Sequence, residues 1–404
     1  MQDVIPVPTI LFGAFDRHNF GDLLFPHIAA ALLAPAHPVF AGLVQRDLRP
    51  CGGHRVEALA DLTRRWSDCP VDIIHAGGEL LTCDAWQAAV MSLPPEEVLD
   101  TVLLFDARPR EAFAWAQHRL RLSALAPYTV QRPLFPHART LIYNAVGGVD
   151  LNCSEPELRY EVLANLRAAD AVGVRDTVTQ AHLNAAGIDS LLMPDPAVMV
   201  AELFGDLIRR RSGEGEVARI GQAFPQGYIA VQFSVEFDDD ATPSVIAAQL
   251  DTLAHSTGFG IVFFRAGAAP WHDELGGFAR TAARMQTQTR VFMSLDLWDI
   301  CALIAASRAY AGSSLHGRIV AMAFALPRVN LVHDAQRGKQ AAFAATWEDA
   351  QVPAAVQADS IAQAALQALG VDPGVLETKA RQLAGCYRDA FRALCGGRFS
   401  LGNT

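Results

Sequence analysis

Aromatic residues make up only 8% of this 404-residue sequence, and its 33 basic residues are outnumbered by 43 acidic ones, for a net charge of -10. Such a chain lacks both the cationic excess that neutralises phosphate backbones and the ring platforms on which bases stack, so no nucleic-acid partner is expected. A local basic pocket stays open. The seven cysteines are odd in number and show no CxxC or Cys/His ligand spacing, which argues against a structural zinc or a disulfide framework. No metal or other cofactor is expected. Several cysteines sit in apolar runs such as Trp298–Leu303, which suits a reducing cytoplasm. No apolar stretch reaches the roughly 20 residues that span a bilayer, so an integral membrane protein is not expected. Met1–Phe12 has no basic segment before an apolar core, so a signal peptide is not expected either, and the expected location is cytoplasmic.

What is present is ample core material. The chain is 51% hydrophobic and 19% charged, which excludes disorder as its main state. Short β-rich runs alternate with longer Ala/Leu-rich helical patterns, the sign of parallel sheets with crossover helices. Val7–Phe12, Val39–Val44, Val71–His75, Thr101–Phe105, Thr140–Tyr143 and Ala171–Val174 read as strands of a first half. Tyr228–Phe233, Ile261–Arg265, Arg290–Met293, Ala309–Gly312 and Arg328–Val332 read as strands of a second. Arg209–Glu216 is charged and carries glycines, and the alternation restarts after it, so an interdomain connection is expected there. The expected fold class is therefore α/β, with two Rossmann-like domains, residues 1–210 and 227–404, and a cleft between them. A homo-oligomer stays open.

In open parallel sheets, ligands bind beyond the carboxyl ends of the strands. The polar residues at those ends are Asn19–Asp22, Gly77-Gly78-Glu79, Asn144 with Gly147-Gly148, Arg175-Asp176 and Asp195 in the first half. In the second half they are Ser234, Glu236, Arg265 with Trp271-His272-Asp273, Ser313–Arg318, and Asp334–Lys339. Glycines at such ends either let backbone approach a ligand or simply make turns. No Walker lysine, GxGxxG or GxSxG elbow accompanies them, so neither a nucleotide loop nor a serine triad is supported. Arg175 reads equally as an anion fork or as one half of a pair with Asp176. Ser313-Ser314-Leu315-His316-Gly317-Arg318 is the sharpest segment. It reads as a short strand end followed by a helix start, with His316 in the first turn, where proton transfer and anion binding can share one place. Its bland reading is a cap with His316 packed inward. Trp271 and His272 read as a platform for a sugar ring or as packing anchors.

Taken in order, Asn19-Phe20-Gly21-Asp22, the Gly77-Gly78 strand end, Ala169–Asp176 with the helix to Gly187, Pro194-Asp195-Pro196 and Ser313–Pro327 with Lys339 resemble the polysaccharide pyruvyl transferase family. The resemblance spans about residues 9–345. It implies a fold similar to GT-B glycosyltransferases, with the last helix, 374–394, packing back on the first domain. It also implies transfer of an enolpyruvyl-derived group from phosphoenolpyruvate to an activated or lipid-linked sugar, leaving a pyruvate ketal. His316 matches the family's proposed catalytic acid. Arg175, Ser314, Leu315, Arg318 and Lys339, with Arg265, become the expected donor-binding set. Asn19, Asp22, Gly77, Gly78, Glu79, Asn144, Trp271 and His272 become the expected acceptor side. Ser314 stands where the family commonly has arginine, and Arg318, four residues on, shares its helix face. A nucleotide-sugar glycosyltransferase and a non-catalytic sugar- or anion-binding scaffold are the competing readings.

Overall fold

The computed structural model describes residues 7–34, 36–334 and 337–397. Residues 1–6 of the N-terminal segment and residues 335–336 of the Asp334–Lys339 stretch lie outside the described residues. The chain forms two compact units. One comprises residues 1–18, 25–196 and 388–404, and the other residues 19–24 and 197–387.

The first unit is built on an eight-stranded sheet. Its strands are β1 (Thr9–Phe12), β2 (Val39–Gly42), β3 (Arg46–Asp47), β4 (Arg55–Ala58), β5 (Val71–His75), β6 (Ala138–Val146), β7 (Ala171–Val174) and β8 (Leu191–Leu192). Their order is β3-β4-β2-β1-β5-β6-β7-β8, parallel throughout except for β3 against β4. The second unit has β9 (Tyr228–Gln232), β10 (Gly260–Phe263), β11 (Thr289–Val291), β12 (Ala309–Gly312), β13 (Arg328–Leu331) and β14 (Ala355–Val356). These six are all parallel, in the order β11-β10-β9-β12-β13-β14.

That second order is the 3-2-1-4-5-6 of a dinucleotide-binding sheet, and β4-β2-β1-β5-β6-β7 repeats it in the first unit. Central strands such as β5 and β9 are buried at every residue, because helices cover both faces of a parallel sheet. In each sheet the winding reverses beside the first strand, between β1 and β5 and between β9 and β12. The chain ends diverge at such a point and leave a crevice at the carboxyl edge.

Two expectations are corrected. Thr101–Phe105 is the end of a helix, Pro95–Phe105, not a strand. Val98 and Val102 recur at helical spacing on its inner side, and Pro95 is pre-set for a first helical turn. The charged stretch at 209–216 is not a linker. Arg209–Arg211 form the last turn of a helix, Val200–Ser212, where cations complement the carbonyl end of the dipole. A second helix, Gly215–Ala223, follows at once, and both belong to the second unit. The contact division falls between Pro196 and Ala197. The final helix, Pro373–Cys395, contributes its residues up to Tyr387 to the second unit and those from Arg388 to the first. Among the described residues no helix is long and apolar enough to cross a membrane.

Candidate functional site

The switch point of the second unit gathers polar groups from four segments. Gln232 ends the otherwise apolar β9 and is 2% exposed. On one side its Nε2 donates to Asp273 Oδ1 at 2.8 Å, in the loop after β10. On the other its Oε1 accepts the Ser314 N–H at 2.7 Å, just after β12. Ser314 is the N-cap of the helix Leu315–Ala323, its hydroxyl accepting Gly317 N–H at 3.2 Å. The Tyr310 hydroxyl donates to Ser314 O at 3.0 Å, and Asn330 and Gln340 donate to the carbonyls of Gly312 and Ser313 at 2.8 Å each. The cap is thus held from every side before any ligand arrives.

Gly317 is there for packing. A Cβ on it would come within 2.5 Å of the Tyr310 ring. Gly21 has the same kind of role, because a Cβ there would overlap the His316 imidazole. His316 is 9% exposed, rests on Gly21 and makes a T-shaped contact with the Phe20 ring.

The residues around Gly21 come from the N-terminal part of the chain yet pack in the second unit. Asn19 pairs antiparallel with Gly267, and Phe20 N–H donates to Ala266 O at 2.8 Å. Asn19, rather than Asp22, caps the following helix, Phe20–Leu32, by accepting the Gly21 N–H at 3.2 Å. Its Nδ2 faces His272 Nε2 at 3.3 Å. Since His272 Nδ1 lies 3.0 Å from Pro270 O, the ring carries its proton on Nδ1 and accepts from Asn19 at Nε2. Asp22 lies buried in the first turn of that helix. Trp271 is 46% exposed and held at φ +63°.

Asp273 completes the arrangement. Its Oδ2 accepts Ala266 N–H at 2.6 Å, and burial pushes its carboxyl up to about 7 against the pull of these bonds. Just before that loop, Arg265 is half-buried and makes no hydrogen bond or ion pair with a described residue, and its Nε is shielded from solvent. Lys339 is exposed at the start of the helix Gly338–Trp347, whose next residue, Gln340, bonds the Ser313 carbonyl. Two cations, a histidine at a helix start and a fixed N-cap therefore share the carboxyl edge of one sheet, a setting for an anion and a proton transfer.

Three of the remaining expected donor-site residues are already engaged within the protein. Arg318 is one of them. It is fully buried, and its guanidinium is taken up by Glu348 at 2.6 and 3.1 Å and by the carbonyls of Ala354 and Pro353 at 2.6 and 2.8 Å. Arg328 shares the same carboxylate at 2.6 and 2.9 Å. Sharing a helix face with Ser314 places Arg318 on the inner side, where a carboxylate 30 residues away has already claimed it. Burial would raise the Glu348 carboxyl, yet the two arginines outweigh that and hold it below the usual range. Leu315 is a core residue, 2% exposed.

Arg175 is likewise a structural ion. It is 1% exposed, pairs with Glu79 and with Asp195 at 3.1 Å, and so joins the ends of β5, β7 and β8 within the first unit. Burial works against its charge, but these carboxylates outweigh it and raise its pKa above the ordinary arginine value. Its neighbour Asp176 adds to that attraction and is also the N-cap of the helix Thr177–Ala185, accepting Thr179 N–H at 2.7 Å. Glu79 is thereby consumed, and it also accepts Val149 N–H at 3.1 Å. Asn144 is fully buried and donates to Ala76 O at 3.2 Å. Gly77 and Gly78 turn the chain after β5 with φ of +123° and +103°, values that favour glycine. The polar rim of the first unit is mainly a clamp.

Gln232 and Tyr310 were missed by sequence reasoning, and Asp273 was seen only as part of an aromatic loop. The one available signal was a glutamine closing the apolar run Tyr-Ile-Ala-Val-Gln.

Two solved structures with likeness over the whole chain are UDP-GlcNAc 2-epimerases. One, from Neisseria meningitidis and bound to UDP-GlcNAc, is 10% identical over 97% of this chain and 100% of its own, with a TM-score of 0.55. The other, from Methanocaldococcus jannaschii, has the same values. A putative UDP-N-acetylglucosamine 2-epimerase from Listeria monocytogenes is 11% identical over 96% of this chain and 97% of its own, with a TM-score of 0.51. At such identities the likeness is one of fold, a GT-B-like fold built from Rossmann-like units. A search of curated proteins gave no match. Residues 143–334, from β6 through the His316 helix to the end of β13, match the model of the polysaccharide pyruvyl transferase family, the family that the ordered motifs resemble.

Proposed function

We propose that this protein transfers an enolpyruvyl-derived group from phosphoenolpyruvate to a sugar diol, closing a pyruvate ketal and releasing phosphate. The observation that supports the reading is that Arg265, His316 and Lys339 all follow strands at the carboxyl edge of the second sheet, with His316 and Arg265 inside the matched segment. Arg265 and Lys339 take the donor's carboxylate and phosphate, as charge-assisted bonds to anions require. Arg175 and Arg318 are left out, because their guanidiniums are already paired with carboxylates inside the protein.

The chemistry then needs one proton delivered and two removed. His316, in its protonated form, gives its proton to the donor methylene, which becomes a methyl group. The adjoining carbon gains oxocarbenium character, which the nearby carboxylate offsets. One sugar hydroxyl adds there, and its proton returns to the His316 imidazole. Phosphate leaves with the bridging oxygen and the electron pair of the broken C–O bond, and takes up the proton that the second hydroxyl gives up as it closes the ring. Asn19 and the His272–Trp271 loop border the same segment and supply polar and ring contacts for the sugar.

The test is a donor screen over several activated and lipid-linked sugars. Phosphate release that depends on both phosphoenolpyruvate and a sugar, with a ketal methyl signal in the product, is expected. Release of a nucleoside diphosphate from a nucleotide sugar instead would replace this reading with glycosyl transfer. Sugar binding with neither product would leave a scaffold.

A further inference from the structure

Gln232 bears no charge and is almost wholly buried, yet it connects two segments far apart in sequence. Its amide nitrogen is 2.8 Å from Asp273, in the loop with Ala266, Gly267 and His272. Its amide oxygen is 2.7 Å from the Ser314 nitrogen, two residues before His316. The Tyr310 and Ser313 hydroxyls lie 3.4 and 3.5 Å from the same oxygen. Each end of the amide is specified. Asp273 accepts Ala266 N–H with one oxygen and, as the carboxylate, accepts the Gln232 amide hydrogen with the other. Ser314 N–H can only donate, so it requires the oxygen. A flipped amide would meet Asp273 with its oxygen and Ser314 N–H with its nitrogen, losing both bonds.

We propose that Gln232 is a positioning residue for the His316 site, fixing the loop that carries His272, and with it the Asn19 segment, relative to the cap of the His316 helix. The proposal rests on the transfer reading given above. Gln232 touches no reacting atom in it. It sets the spacing between two groups, His316 at the helix start and the Asn19–His272 pair on the loop. Asn19 is tied to that loop by its pairing with Gly267, and Gly21, two residues on, is the surface on which the His316 ring rests. A loop that loosens at Asp273 therefore loosens the seat of His316. Catalytic geometry is sensitive on this scale, because misplacements of about 1 Å can cost 100-fold.

The decisive experiment exchanges the two ends of the Gln232–Asp273 bond. Q232E sets a second carboxylate against Asp273 and keeps an acceptor for Ser314. D273N sets an amide against an amide, so that one bond of the chain is always lost. In Q232E/D273N the introduced amide donates to the introduced carboxylate, its oxygen still accepts Ala266 N–H, and Ser314 N–H still finds an acceptor. Each single variant is expected to lower kcat at least tenfold. The double variant is expected to return to within about threefold of the parent. In parallel, the ring signals of His316 and His272, assigned by H316Q and H272Q, are followed by NMR. They should move in both single variants and return in the double.

If the single variants lose only thermal stability, with ring signals and turnover per folded molecule unchanged, the proposal is overturned. It is equally overturned if the double variant rescues neither. Should the parent protein show no phosphoenolpyruvate-dependent turnover, the transfer reading falls, and the ring signals alone decide whether the amide positions His316.

Discussion

Glu348→Gln leaves Arg318 and Arg328, both fully buried, with no carboxylate between them. In the native protein the three side chains carry a net charge of +1, and the excess is met by the carbonyls of Leu326, Pro353 and Ala354. Glutamine can still accept one bond through its oxygen, but its amide hydrogens then face a guanidinium. Removing one partner of a buried pair costs about 3–5 kcal/mol, because a charge stays behind unpaired. For a unit of about 200 residues, each kcal/mol shifts the melting temperature by roughly 2–4 °C, so a loss of about 6–20 °C is expected. Differential scanning calorimetry resolves this, and urea midpoints give an independent value. An E348Q protein that melts within a degree of the parent but binds phosphoenolpyruvate poorly would refute this reasoning. Arg318 would then belong to the donor site.

Other outcomes follow from the same geometry. His316→Gln should cut turnover by about 10²–10⁴, the usual contribution of a general acid, with little change in melting temperature; near-normal steady-state rates would remove His316 from the chemistry. Gly21→Ala should displace the His316 ring and lower kcat at least tenfold, visible as a shifted His316 resonance; an unmoved ring would show that the contact can relax. Arg265→Met and Lys339→Met should each raise the KM for phosphoenolpyruvate by about 10–100-fold, since a hydrogen bond to a charged group contributes about 1.5–3 kcal/mol, while melting stays unchanged. Finally, burial holds His75 neutral and lowers its pKa to about 3, with Nδ1–H donating to Ile142 O and Nε2 accepting Val130 N–H. The unfolded ring binds a proton below about pH 6.5 and the folded one does not, so this stabilisation is complete above 6.5 and declines by about 1.4 kcal/mol per pH unit down to about 3. Urea midpoints measured from pH 7 to 4 should therefore lose roughly one proton of slope in His75→Phe.

The alternation of apolar runs with helical patterns was enough to announce two parallel sheets and to locate their carboxyl edges. Strands such as Val71–His75, Ala171–Val174 and Ala309–Gly312 are local facts, written in residues that must be buried on both faces. The helix start at Ser314 is equally local, because a hydroxyl cap and the turn it closes lie within three residues. Which charges are free is not local. Arg175 and Arg318 look alike in sequence to an anion-binding arginine, and only partners 96 and 30 residues away make them structural. The same holds for Asn19–Leu24, near the N-terminus in sequence but packed with the second unit, and for Gln232, whose partners lie 41 and 82 residues on. Sequence periodicity reports the face that each element buries. The pairing of buried polar groups is decided by which elements meet, and that is settled only when the chain has folded.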